Sequence, residues 1–440
     1  MPGALALALS VACGVEVTNP DVLTPGSLGG KDALPTLLAG AVGDFAIAYG
    51  GRAGVFGTEQ GGAILIGGLL GDELGNTAQV SDWTLIDRRV VTAFNGEDQT
   101  LYRNLHRARA AAERAAGRYR DLDPAAFGYA HALDLAGYTY IFFGELYCGG
   151  VPFSSTDDQG AIAYGAPLTT AQILAQAITR FDSVLDVAPS LAAAHPGAAD
   201  SVLAVADLAR IGKARSLLDL GEYAEAANVA SPVPTSFVAE IEYGTNSDRE
   251  KNAVYHFNHV DRSYNVSDGE GANGLPYASA GDPRTPVEAN GEGVDLTVPF
   301  YLELAYPAYD SPIPLATGVE ARLIEAEALL QSGDPTGALA RLDDLRAAAG
   351  MPPVQDPGTP NGRVDLLFRE RASWLWLTAH RLGDLRRLVR NYGRGSETVY
   401  PTGAYAKNQE TYGTDLSLPV SVDELVNPRY TASACSTTIP

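Results

Sequence analysis

Tyr264 and Tyr277 sit beside Asn265, Asn273 and Asp268 in a stretch, residues 231–317, rich in Gly, Pro, Asn, Ser and Tyr. Flat rings among amides and carboxylates could bind a sugar. The C–H face of a sugar ring is apolar and stacks on an aromatic, while its hydroxyl rim hydrogen-bonds to polar side chains. The competing reading of each ring is packing. Trp374 and Trp376 fall in a helical stretch and are read as core or hairpin packing.

Catalytic and metal chemistry find less support. The chain carries no His-Glu-x-x-His and no Gly-x-Ser-x-Gly, and glycine-rich residues 50–75 lack the phosphate-cradling Gly-x-x-x-x-Gly-Lys-Ser/Thr pattern. Its 53 acidic residues do not mark a two-carboxylate glycosidase, because abundance carries no positional information. His256 and His259, read in a short strand over 253–260, would point to opposite faces and make no metal pair. The reading is therefore no catalysis, no cofactor and no metal. A net charge of −22 would repel a phosphate backbone, which sets nucleic acid aside.

Loop residues need a frame, and the sequence supplies helices. Leu34 to Tyr49 reads as a first helix; Glu97 to Arg120 is amphipathic, with Leu101, Leu105, Ala108, Ala112 and Ala115 on one face. A further helix is expected from Pro124 to about Leu146, and three more over 169–188 and 201–230. Ala321 to Ala349 is helical, broken at Ser332-Gly333-Asp334-Pro335. Leu366 to Arg390 is predicted as one long amphipathic helix.

Two of these stretches share a template. Ala214-x-x-Leu217-Leu218-x-x-Gly221-Glu222-x-x-x-Ala226 recurs 112 residues later as Ala326-x-x-Leu329-Leu330-x-x-Gly333-Asp334-x-x-x-Ala338. Alanines at helix crossings and a Gly-acid turn mark tetratricopeptide-like hairpins. The copies are separated by the 231–317 insertion, whose pieces 253–260 and 297–304 are β-prone.

The N-terminal MPGALALALSVACG reads as the apolar core of an export signal ending at Cys13. It is too short to span a bilayer, which needs about 20 residues. Ser10-Val11-Ala12-Cys13 looks like a bacterial lipoprotein cleavage site, so residues 1–13 are assigned as signal and lipobox, with Cys13 acylated; a buried N-terminal strand is the alternative. That leaves Cys148 and Cys435. In an exported protein they are either a disulfide or two free thiols, one buried and one in a frayed tail.

The C-terminal hundred residues carry a resemblance. Arg369-Glu370-Arg371, His380-Arg381, Asp384-Leu385 and Arg387 are followed by Tyr400-Pro401-Thr402-Gly403, Leu418-Pro419-Val420, Asp423-Glu424-Leu425 and Asn427-Pro428. In order and spacing this resembles the signature of the SusD/RagB family of outer-membrane nutrient-binding lipoproteins. Glu16-Val17-Thr18-Asn19-Pro20, Gly71-Asp72-Glu73, Phe143-Gly144-Glu145-Leu146-Tyr147 with Val151-Pro152-Phe153, and Gly281-Asp282-Pro283-Arg284 resemble further family elements.

The resemblance implies a mostly α, SusD-like fold over residues 14–440 as one domain. Tetratricopeptide-like hairpins, about 97–230 and 318–390, would scaffold the loop-rich insertion and its short strands. It implies a lipid-anchored protein of the outer membrane and cell surface that captures an oligosaccharide and delivers it to a TonB-dependent β-barrel transporter. Ligand contacts are expected at Asp72, at Asn76 and Trp83 in the variable loop after it, and at Tyr264 and Tyr277. Two alternatives stay open: a peptide ligand, since some relatives bind peptides, and a tetratricopeptide-type interaction adaptor.

Overall fold

Alanine- and leucine-rich runs form helices in chain order. These are α1 (Leu34–Gly50), α2 (Ala63–Leu70), α3 (Ser81–Asp87), α4 (Gly96–Leu122), α5 (Phe127–Leu146), α6 (Thr170–Ala194), α7 (Ala199–Leu220), α8 (Tyr223–Ala230) and the single turn α9 (Ala253–Tyr255). After the insertion come α10 (Gly318–Gln331), α11 (Pro335–Ala348), α12 (Pro360–Trp374) and α13 (Arg381–Arg390). The computed structural model describes residues 30–54, 61–157 and 160–440; the signal and lipobox assignment, Cys13 and the Glu16–Pro20 motif lie outside the described residues.

Caps fix several of these helices. Asn95 accepts from the Glu97 and Asp98 amides at the start of α4, Thr169 and Gln172 form a reciprocal capping box on α6, and Thr317, Asp334 and Thr359 cap α10, α11 and α12. Residues 31–50 are apolar enough to cross a membrane by length and composition. Here its C-terminal part is core: Phe45, Ala48 and Tyr49 are fully buried, with Tyr49 stacked on Phe142 of α5.

The repeat template appears as two matching hairpins, α7–α8 and α10–α11. Gly221 and Gly333 both have left-handed φ, +82° and +84°. Each closes the same turn, with Gly221 bonded to Leu218 and Glu222 to Leu217 in one, Gly333 to Leu330 and Asp334 to Leu329 in the other. Between them the insertion makes small antiparallel pairs rather than one sheet: Val238–Ile241 with Ile313–Thr317, Tyr264–Val266 with Leu74–Asn76, and Val287–Glu292 with Pro299–Glu303.

Three expectations are corrected. Residues 253–260 are the turn α9 followed by a π-helical turn, His256–Val260, not a strand. Asn252 caps this segment, and Phe257 packs inward against Trp83, so tertiary packing overrides β propensity. The helix expected from Pro124 starts at Phe127. The long helix over 366–390 is two helices, α12 and α13, because Leu377 and Ala379 adopt positive φ. Groups from elsewhere hold that break open: Glu73 accepts the Leu377 amide, Tyr306 donates to the Leu377 carbonyl, and Arg215 donates to that of Ala379.

Buried ion pairs lock the hairpins to the rest. Arg371 makes a two-pronged bond to Asp384, 2.8 and 2.9 Å, and Arg387 reaches Glu327, Asp219 and Asp384 at 2.9–3.0 Å. Burial alone would raise Asp384, but Arg371 and Arg387 hold its carboxyl below the ordinary range. Arg215 grips Glu145, and Arg381 grips Asp72. Arg386 donates to the carbonyls of Gly144, Glu145 and Tyr147, satisfying the end of α5. Cys148 and Cys435 form a disulfide, with Cα atoms 5.3 Å apart, closing a sequence separation of 287 residues.

Candidate ligand-binding cleft

The described surface holds several concave sites, and their polar atoms distinguish them. A groove of about 670 Å³ between the hairpins is lined by Tyr223, Glu325 and Arg341, and its Glu325 is paired with Arg322 and Arg341. A second, of about 400 Å³, contains Arg284, Arg346 and Glu370. These bind one another: Arg284 bridges Asp282 and Glu370, and Arg346 adds to Glu370. A third cleft, of about 290 Å³, keeps buried acceptors without donors, the feature expected where a ligand completes a hydrogen-bond set.

Four distant chain segments build this third cleft. The strand Leu74–Asn76 pairs antiparallel with Tyr264–Val266, setting Gly75 opposite Asn265. Asn265 accepts from the Tyr301 amide at 2.6 Å and donates to the Pro299 carbonyl at 2.9 Å, fastening the third segment. The fourth is a hairpin loop carrying Tyr405, Lys407 and Tyr412, closed by the Ala404–Thr411 bridge. The Tyr400-Pro401-Thr402-Gly403 motif anchors it. Buried Arg89 donates to the Pro401 and Asp415 carbonyls and lies over the Tyr400 ring, 4.8 Å from its centre. Asn273 ties the insertion to the same motif through the Tyr400 carbonyl and the Thr402 hydroxyl.

Two carboxylates face the cleft. Asp87 uses one oxygen to accept from the Asn76 amide and the Tyr405 hydroxyl, both at 2.7 Å; its other oxygen has no hydrogen-bond partner. Burial pushes the Asp87 carboxyl up to about 7. Glu270 stands between Gly269 and Gly271, both at positive φ, and its Oε2 likewise lacks a partner. Burial first, then the Asp87 charge, raises Glu270 well above the ordinary range, against the smaller lowering effect of the neighbouring Ser267 hydroxyl. A Cβ on Gly75 would stand 2.9 Å from Glu270 Oε1, so glycine makes room for that carboxylate. Tyr405 and Tyr412 meet edge to face, 5.4 Å between centres.

Of the residues singled out in the sequence, Asn76 lines this cleft, with its own side chain committed to Thr84 and the Ala78 amide. Trp83 is fully buried and packs on Phe257 and Tyr264, 6.4 and 5.1 Å between ring centres. Tyr264 is buried beneath the cleft, and Tyr277 stacks on Trp376 beside the Arg284 site. Asp72 is buried against Arg381 and accepts from the Leu275 amide. In this conformation none of these four presents an open ring face or free carboxylate to solvent. Asp268 lines the cleft but accepts from Ser279.

Sequence reasoning missed Asp87, Glu270, Tyr301, Tyr405, Lys407 and Tyr412. The signals were a tyrosine-rich loop directly after the Tyr400–Gly403 motif and a Gly-Glu-Gly unit at 269–271. His256 and His259 bond to the Gly54 and Glu303 carbonyls. Among the described residues no group of three or more His, Cys, Asp or Glu is arranged to hold a metal ion.

Comparison with known proteins fits this architecture. Residues 320–425 match the SusD family. The fold is similar to that of a SusD-like carbohydrate binding protein from Bacteroides fragilis, at 14% identity and TM-score 0.65, covering 92% of this chain and 99% of that one. It is similar also to SusD superfamily proteins from Bacteroides thetaiotaomicron (15%, TM-score 0.64, 91% and 99%) and Parabacteroides distasonis (12%, TM-score 0.65, 91% and 98%). The curated proteins give no match.

Proposed function

We propose that this chain, a SusD/RagB-family protein by its C-terminal region and its fold, is a surface lipoprotein that captures an oligomeric nutrient and passes it to a TonB-dependent β-barrel transporter in the outer membrane. Acyl chains on Cys13 would hold it there. The ligand is a glycan, as the name of the Bacteroides fragilis relative suggests for that protein. One observation carries the binding role: a polar, tyrosine-lined cleft with two buried carboxylate oxygens that lack donors. A sugar hydroxyl is a donor of the right kind, and Tyr301 is the half-buried ring of the lining, while Tyr405 and Tyr412 are packed into its wall.

Asn76 and Asn265 shape the cleft rather than reach for ligand, since their amides are spent on neighbouring backbone and Thr84. Trp83 and Tyr264 form the packing beneath it. Capture and handover need no bond cleavage, so the protein acts as a binder and not an enzyme.

The test is titration calorimetry of the mature protein against panels of oligosaccharides and peptides, with recovered ligand analysed for cleavage. We expect an intact oligosaccharide to bind and Tyr405→Ala to weaken it roughly tenfold, because the hydroxyl that fixes Asp87 in the wall of the cleft is lost. Binding that is untouched by Tyr405→Ala would place the site elsewhere. Binding of peptides alone would replace the glycan with a peptide nutrient.

A further inference from the structure

The two carboxylates of the cleft raise a question that sugar hydroxyls alone do not answer. Asp87 is 1% exposed, and it and Glu270 line the same half-enclosed space, each with a buried oxygen that has no hydrogen-bond partner. Like charges confined together are unfavourable unless something neutralises them. Burial together with the neighbouring carboxylate already raises Glu270. The one cation among the described lining residues offsets this only in part: the Lys407 charge lowers Asp87 by less than burial raises it, and its ammonium is engaged by Asp295 at 2.5 Å and by the Ala78 carbonyl. Asp268 adds a further negative group to the lining, so acidic residues outnumber basic ones there.

The local backbone holds this pair in place. Gly271 lies so close to the Thr402 carbonyl that a Cβ would come within 2.3 Å of it, and Gly75 leaves the volume that Glu270 fills. The Asn76 amide and the Tyr405 hydroxyl fix one oxygen of Asp87 and leave the other without a hydrogen-bond partner. Beside a neutral hydroxyl the pair stays partly protonated, whereas a cation lets both carboxyls ionise and take up its donors. An ammonium supplies three donors and a positive charge in one compact group. A bare divalent cation would need more ligands than the described residues bring together.

We propose that Asp87 and Glu270 form a subsite for a primary ammonium group carried by the nutrient, so that the cleft selects amine-bearing ligands over their acylated counterparts. This rests on the binding role proposed above and deepens it. The ammonium could come from a de-N-acetylated amino sugar or from a lysine side chain, and the experiment separates the two.

Calorimetric titration at pH 7.5 would compare a glucosamine tetramer with its N-acetylated form, and trilysine with its Nε-acetylated form, against wild type, Glu270→Gln and Asp87→Asn. Each variant's thermal unfolding would be recorded first. The expected result is at least tenfold tighter binding of one free-amine probe than of its acetylated partner, with the preference reduced to within threefold in a folded variant. Which pair shows it identifies the source. Equal binding of the two forms, binding of neither amine, calcium binding at the same two residues in place of the amine, or a preference that survives both substitutions would overturn the subsite. Neutral oligosaccharide binding would leave the uptake role standing in those cases, whereas absence of a transporter partner would remove that role without touching the amine result.

Discussion

Arg381 and Asp72 lie 309 residues apart in sequence and meet through two hydrogen bonds inside the protein. Removing one partner strands a buried charge, so Arg381→Ala should cost about 3–5 kcal/mol in denaturant unfolding, and adding Asp72→Asn should recover part of it. Equal loss in the single and double variants would contradict the pairing. Glu73 behaves differently, because burial raises its carboxyl from 4.5 to about 8 while it accepts the Leu377 amide. A raised carboxyl contributes stability that is present below pH 4.5 and lost as pH rises through about 8. Glu73→Gln keeps the acceptor and removes the titration. Its stability relative to wild type should therefore improve by roughly 1–3 kcal/mol between pH 5 and pH 8.5; a flat difference would refute the account. The signature arginines were legible as positions. Their partners, such as Asp219 and Glu327, were not, because nothing local marks a carboxylate that will be buried.

At the scale of elements, the two hairpins show where sequence speaks clearly. The Gly221 and Gly333 turns follow from local chemistry, since only glycine adopts φ near +80° at little cost. Gly333 has no neighbours within 4 Å of an added Cβ, so Gly333→Ala should cost about 1 kcal/mol from backbone strain alone, read by chemical denaturation. The break between α12 and α13 carries no such mark. Trp374-Leu375-Trp376-Leu377-Thr378-Ala379-His380 has neither glycine nor proline, and the helix stops because Glu73, Tyr306 and Arg215 bind its free backbone groups. The residues 253–260 failed for the same reason: β-prone side chains were recruited into a helical turn by Trp83 and its neighbours.

At the scale of the whole molecule, the disulfide between Cys148 and Cys435 ties the end of the chain to the loop after α5. Closing so long a loop restricts the unfolded chain by about 5–6 kcal/mol in the chain-entropy model. Cys435→Ser should therefore lower Tm markedly and make it indifferent to reductant, while wild-type Tm falls on reduction; a Tm unchanged by the substitution would count against that role. The cleft was the least legible feature. It gathers single residues from 75–87, 265–271, 298–301 and 405–412, and no sequence period joins them, whereas the frame rests on repeats and caps that are local. The most direct test of the uptake role is to purify the tagged full-length protein in mild detergent from its native outer membrane and identify what accompanies it by mass spectrometry. The account predicts a stoichiometric TonB-dependent β-barrel transporter; recovery of soluble proteins alone, or of no partner, would contradict it.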